Sequence, residues 1–304
     1  MPEGCKEADQ NDGKISRSPL SNRIIQHKGL MIGLTLVGLI LFTAVFASIL
    51  APHDPYLQDL VQRRIPPIWH DWFYDNARAS WSHPLGTDRL GRDYLSRIIY
   101  GTQISLLVAF ATAVLSGIIG TTLGILAGYF GGRIDMAINF IITTRLSMPV
   151  ILFALATASF YGSSLLLIII VLGLLLWDRF AVVMRSTTMQ IRNAEYVKAA
   201  RAAGCSTFKI ITSEILPNLM NPLLVVVTLE MATAILYESA LSFLGLGVQA
   251  PLASWGLMLS EAKIDIFFDP WMITIPGIAL FLLVLAINLI GDGLRDVTAP
   301  ERNI

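Results

Sequence analysis

The sequence predicts an all-α integral membrane protein with six transmembrane helices. Hydrophobic residues make up 54 % of the chain and charged residues 14 %, too apolar and too poor in charge to cover an ordinary soluble domain. Uncharged runs are also long enough to cross a bilayer. The first, between Lys28 and Asp54, holds 25 residues without Lys, Arg, Asp or Glu, about 38 Å of helix against roughly 30 Å of hydrocarbon. A second runs from Ile98 to Gly132. The formal net charge of zero provides no global basic field for nucleic acid or anionic lipid.

Residues 1–28 are polar, carry five Lys/Arg and four Asp/Glu, and read as a tail that packs no core. Residues 29–51 form span 1, because the run is too long for the apolar region of a signal peptide and its polar lead-in is wrong for one. Residues 52–102 are the largest hydrophilic insertion, an external loop in which Trp69, Trp72, Phe73, Tyr74 and Trp81 suit a small folded lid or a headgroup-level belt. Its His53, His70 and His83 are 17 and 13 residues apart. Those spacings match no compact ligand motif, and no metal site is expected. Leu95, Ile98, Ile99 and Thr102 continue an amphipathic helix into the core, 103–304.

Within span 2, Gly120, Gly124 and Gly128 stand four apart on one face, a groove that lets another backbone come close. Residues 136–177 carry one charge, Arg145, and must supply spans 3 and 4, broken near Ser159–Ser164, with Pro149 kinking span 3. From Asp178 to Glu214 the chain reads as hydrophilic and holds Arg179, Arg185, Arg192, Lys198, Arg201 and Lys209, so the positive-inside rule places it in the cytoplasm. Span 5 follows Pro217, with Glu230 near its middle and Glu238 towards its end. An irregular hydrophobic loop leads through about 244–269 to span 6, about Pro270–Ile290.

Four spans precede the basic segment and two follow it, so both termini are expected in the cytoplasm and 52–102 and 244–269 outside. Cys5 and Cys205 then fall on the reducing side, and no disulfide is expected. Arg145 and Glu230, of opposite sign and at bilayer depth, invite an ion pair or a place lining a conduit, with Glu238 as a competing partner.

The stretch Glu195–Pro217 organises the rest. Tyr196, Ala199, Ala200 and Ala203 form one apolar stripe while Glu195, Lys198 and Arg201 lie off it, which predicts a short amphipathic surface helix. Gly204 ends it in the left-handed region, Ser206 caps a second short helix carrying Phe208 and Ile211, and Pro217 closes that one. Ala200, Gly204 and Ile210 also sit at the spacing of a DNA-binding helix-turn-helix, and small residues in a helical hairpin can be plain packing. A cytoplasmic position between two spans favours neither alternative, and no nucleic-acid partner is expected.

Ala199-Ala200, Gly204 and Leu216-Pro217 resemble the coupling loop of ATP-binding-cassette (ABC) importer permeases. Two positions depart from that pattern: Lys198 stands where a Glu is usual, and Glu214 where an Ile is usual. The flanking Glu195-Tyr196-Val197, the run Gly86-Thr-Asp-Arg-Leu-Gly-Arg-Asp93 and the run Glu238–Gly247 are similar to the dipeptide, oligopeptide and nickel branch. The resemblance implies an inner-membrane permease of a bacterium, with 190–217 docking on an ATPase through Glu195, Lys198, Ala199, Ala200, Arg201, Gly204 and Pro217. It also implies a second related permease, two ATPase subunits and an external substrate-binding protein as partners, besides membrane lipid.

No cofactor is expected in this chain itself. Its only Gly-Lys pair, Gly13-Lys14, lacks the glycine and Ser/Thr of a phosphate loop. ATP and Mg are expected in the partner subunits, and the chain is not expected to be an enzyme. Short peptides are the expected substrate, and nickel chelates or another small solute the alternative. A secondary transporter is the runner-up class and would be expected to show inverted repeats.

Overall fold

The computed structural model describes residues 27–72 and 79–298. Residues 1–26 of the expected tail, Cys5 among them, and Phe73 and Tyr74 therefore lie outside the described residues. Among the described residues the regular elements are helices, with one isolated bridge between Thr87 and Asp93. The helices are α1 (Lys28–Val45), α2 (Ala47–Leu50), α3 (Tyr94–Phe130), α4 (Gly132–Leu146), α5 (Val150–Tyr161) and α6 (Leu165–Leu175). They continue as α7 (Asp178–Ile191), α8 (Glu195–Ala202), α9 (Thr207–Ile210), α10 (Leu216–Phe243), α11 (Trp255–Ala262) and α12 (Trp271–Thr298).

Among the described residues, five helical segments are long and apolar enough to cross a membrane: Lys28–Val45, Tyr94–Phe130, Leu165–Ile191, Thr207–Phe243 and Trp271–Thr298. A sixth is made of α4 and α5, which are bent by 79° at the break between them. The kink expected at Pro149 is thus a break. Pro149 has no N–H to give the preceding turn and disfavours helical geometry at Met148, and it stands as the N-cap of α5. The separation expected near Ser159–Ser164 falls at Gly162, φ +84°, after which the Ser164 hydroxyl accepts from Leu167 N at 3.2 Å and starts α6.

Helix α3 is central: it touches α1, α2, α4, α6, α7, α10 and α11. It starts at Tyr94, where Asp93 Oδ2 caps it by accepting from Ser96 N at 2.8 Å. That start precedes residue 98, the beginning of the uncharged run, because Arg97 is fully buried in an ion-pair network. One face of α3 joins α10, α11 and α12 in an apolar core around Tyr94, Ala109, Ile235, Trp255 and Leu283. Another meets α5, α6 and α10 around Val108, Ala154, Leu172 and Leu241.

Three expectations are corrected here. Asp178, expected to open the hydrophilic segment after span 4, begins α7, which runs on from α6 so that Leu165–Ile191 is one helical segment long and apolar enough to cross a membrane. Arg179 and Arg185 are accommodated because Glu230 and Asp135 accept from them, and they leave the count of free loop cations. Pro217 does not close a short helix but occupies the first turn of α10, where its missing N–H is tolerated, directly after a π-helical turn at Ile211–Ile215. The region 244–269 is not irregular throughout, since Ser254 caps α11 and Trp255 Nε1 donates to the Ile98 carbonyl at 3.0 Å.

Candidate functional site

The turn between α8 and α9 is built by Gly204 at φ +78°, a left-handed conformation that side chains with a Cβ rarely adopt. Ser206 then caps α9, its hydroxyl accepting from Lys209 N at 3.4 Å. Val197, Ile210 and Ile215 are buried against Ile125 of α3 and Met184 of α7, so the helical pair is anchored in two core helices. The buried face of α8 is therefore set by Val197, with Ala200 half-buried beside it, and the rest of the expected stripe, Tyr196, Ala199 and Ala203, does not reach that core. That stripe is left exposed together with Glu195, Lys198 and Arg201, and Phe208 next to it is 77 % exposed. The outward face thus combines apolar and charged groups on a rigid base, a surface suited to a protein partner.

The glycines of α3 form a groove that receives α7. A Cβ on Gly124 would lie 2.7 Å from the Ala181 carbonyl oxygen, and one on Gly128 would lie 2.7 Å from that of Arg185. Gly120 approaches the Trp177 carbonyl in the same way. Small residues let the two backbones pack at this distance, and lipid offers no substitute for that contact.

Arg145, Glu230 and Glu238 go to three different places. Arg145 donates to the Leu175 carbonyl and, at 3.2 Å, to the Met148 carbonyl, which pins the α4–α5 break to the end of α6. Its expected partner Glu230, 1 % exposed, instead accepts from Arg179 Nη1 at 3.1 Å. Glu238 accepts from the hydroxyls of Ser242 at 2.8 Å and Ser254 at 3.0 Å, joining α10 to the start of α11. Arg179 and Glu230 line a cavity of about 260 Å³ with Leu146, Val182, Val226 and Leu229.

Residues 52–93 form a lobe rooted on α3 and α11. Gly91, φ +74°, passes against the Asp59 carbonyl, where no side chain would fit. Arg97 Nη1 donates to Asp88 Oδ2 at 2.7 Å and Glu261 Oε2 at 2.6 Å, while Arg92 bridges the same two carboxylates. Arg64 reaches Asp265 beyond α11. A cavity of about 440 Å³ opens beside this network, lined by Asp88, Arg92, Tyr94, Arg97 and Met258 among others.

Two of the histidines also meet here. His53, His83 and Asp93 bring ligand-type atoms within 4.8 Å of one another, an arrangement that sequence spacing does not reveal. The side chains of His83 and Asp93 are engaged in hydrogen bonds, while the His53 ring stands 3.9 Å from Asp93 Oδ1 through Nδ1. His83 lies between Asp93 Oδ1 at 2.8 Å and Gln62 Oε1 at 2.7 Å, and Asp93 Oδ2 accepts from Ser96 N and Oγ. The cluster is a clasp between the lobe and the first turn of α3.

Residues 120–303 match the family described as binding-protein-dependent transport system inner membrane component, and residues 21–67 match the N-terminal TM domain of oligopeptide transport permease C. The chain belongs to this family of ABC transporter permeases. The permease is 40 % identical over 275 residues to the di/tripeptide transport system permease protein DppC of Pseudomonas aeruginosa, covering 90 % of this chain and 89 % of that protein. To DppC of Bacillus subtilis it is 36 % identical over 303 residues, 97 % of this chain and 91 % of the relative.

Among solved structures, a chain of the MetNI methionine ABC transporter in an inward-facing conformation superposes with a TM-score of 0.56. It covers 67 % of this chain and 97 % of its own length at 19 % identity, a likeness of fold. The permease is thus a multi-pass membrane protein of a bacterial ABC importer and not itself its catalyst. The family implies that the ATPase subunits of the complex are other chains.

The residues that sequence reasoning missed are Arg97, Arg179 and Glu261. Sequence alone puts Arg179 and Glu261 outside the spans, and Arg97 on the amphipathic lead-in helix without a partner. Arg97 meets Glu261 across 164 positions and Arg179 meets Glu230 across 51, separations that no local pattern signals.

Proposed function

We propose that this permease forms half of the conduit of an ABC importer for dipeptides and oligopeptides. The observation that carries the substrate class is the 40 % identity to a di/tripeptide permease across 90 % of the chain. The other half of the conduit is a second, related permease. The surface of 190–217, through Glu195, Lys198, Ala199, Ala200, Arg201, Gly204 and Pro217, docks on one of two ATPase subunits in the cytoplasm, and both termini lie on that side. The lobe at 52–102 and the 244–269 region then face outward, where a loaded substrate-binding protein is received.

Docking can move the conduit only if the ATPase contacts differ in energy between its open and closed states. The anchoring of Val197, Ile210 and Ile215 against α3 and α7 supports this reading, since a displacement of the loop must carry those helices with it. Glu230 with Arg179 is the conduit candidate the geometry favours. Arg145 and Glu238 hold helices beside it.

The test is uptake by proteoliposomes containing the whole complex, supplied with its binding protein and internal ATP. Labelled tripeptide should accumulate only with hydrolysable ATP. Uptake of a nickel–histidine chelate without any uptake of peptide would overturn the substrate assignment.

A further inference from the structure

Arg179 stands 14 residues from one end and 12 from the other of the segment Leu165–Ile191, and Glu230 is likewise 13 residues inside Phe243. Both therefore lie deep in their spans, where a charge must face protein or water. Glu230 does, being 1 % exposed. Arg179 faces protein on one side only, since its side chain is 58 % exposed at the mouth of the cavity it shares with Glu230. Only one nitrogen of its guanidinium is engaged: Nη1 donates to Glu230 Oε1 at 3.1 Å and Thr233 Oγ1 at 3.4 Å. Nε and Nη2 make no hydrogen bond to any described residue. Together they are the edge of a guanidinium that meets a carboxylate with two parallel hydrogen bonds.

We propose that Arg179, oriented by Glu230, is a carboxylate-recognition point inside the conduit, and that its Nε–Nη2 edge takes the terminal carboxylate of the transported peptide. Glu230 fixes the guanidinium by its inner nitrogen and turns the two-donor edge outward. The short reach of one arginine suits transient contact, and the buried carboxylate returns the cation to its place when the peptide leaves. The proposal rests on the peptide reading of the permease. It adds which chemical group of the peptide the permease itself reads, apart from any selection by the binding protein.

The experiment compares a tripeptide with its C-terminal amide, in proteoliposomes of the full complex, each at a concentration that saturates the binding protein. Native permease should carry the free acid faster by about tenfold, the scale of one charged hydrogen-bonded contact. Glu230→Gln keeps Arg179 but weakens the contact that orients it, and should reduce that preference without abolishing it. The pair Arg179→Gln with Glu230→Gln removes the cation without stranding a buried carboxylate and should carry acid and amide equally. Equal rates in the native complex, or an unchanged preference in the double variant, would overturn the proposal.

If the double variant does not assemble, Arg179→Lys decides, because it keeps the charge and loses the planar edge. Its preference should fall at least fivefold, and an unchanged preference or a failure to assemble would assign the edge to something other than peptide. A native complex that carries neither peptide would instead reject the peptide reading itself.

Discussion

A methyl group on Gly124 would stand 2.7 Å from the carbonyl oxygen of Ala181, closer than a carbon can sit without the backbone moving. The glycine groove of α3 is therefore filled by the backbone of α7. Gly124→Ala should lower the thermal stability of the purified complex, by about 1–3 kcal/mol as for other overpacked sites, and Gly124→Leu should dissociate it in detergent. Gly38→Ala is the control, since a Cβ there meets nothing within 4 Å, and it should leave stability unchanged. Equal behaviour of the two alanine variants would contradict the groove.

Gly204 poses the opposite case. A Cβ there also meets nothing within 4 Å, so the whole cost of a substitution lies in its φ of +78°. Gly204→Val should cost about 1–2 kcal/mol at the turn and misdirect α9, while Gly204→Asn, which tolerates this conformation, should cost less. Membrane insertion should be normal in both. Stimulation of ATP hydrolysis by loaded binding protein should be lost in the valine variant and largely kept in the asparagine one.

The buried charges give a double-mutant test that separates two pairings. Arg179→Gln leaves Glu230 without its 3.1 Å donor, and complex yield should fall. Adding Glu230→Gln should restore the yield, because the lone buried carboxylate is gone. Arg145→Gln should also lower the yield, by freeing the Leu175 and Met148 carbonyls, and Glu230→Gln should not restore it. Rescue of Arg145→Gln by Glu230→Gln would return the pairing to Arg145.

At the root of the lobe, Glu261 of α11 accepts from both Arg92 and Arg97, which are 5 % and 1 % exposed at their side chains. Glu261→Gln should destabilise the permease by roughly 2 kcal/mol, less than the full cost of breaking a buried pair because Asp88 remains for both cations. Thermal unfolding of the purified complex reads this directly, and an unchanged midpoint would show that Asp88 alone suffices.

What could be read in advance follows from range. Long apolar stretches with few charges marked the helices long and apolar enough to cross a membrane, and the need for a left-handed residue located the turn at Gly204, because both depend on neighbours in sequence. Arg179 and Glu261 were misplaced for the same reason in reverse. A charge reads as loop unless its partner is known, and Glu230 and Arg97 are distant in the chain. Pro217 was read as a stop because the rule for proline in a helix interior was applied where the rule for its first turn holds. The stripe on α8 was legible as an apolar face but its rotation was not, since an eight-residue helix is turned by what it packs on, here Met184 and Ile125 acting through Val197.

Which chain each face of the permease touches is decided most directly by cross-linking. In a background of Cys5→Ser and Cys205→Ser, single cysteines at Phe208, on the α8–α9 surface, and at Trp81, 82 % exposed on the lobe, would be treated with a bifunctional thiol reagent in sealed vesicles. Phe208→Cys should link to an ATPase subunit, with a yield that changes when ATP is bound, and Trp81→Cys should link to the substrate-binding protein or to neither. A link from Trp81→Cys to the ATPase, or from Phe208→Cys to the binding protein, would contradict both the orientation and the coupling role of residues 190–217.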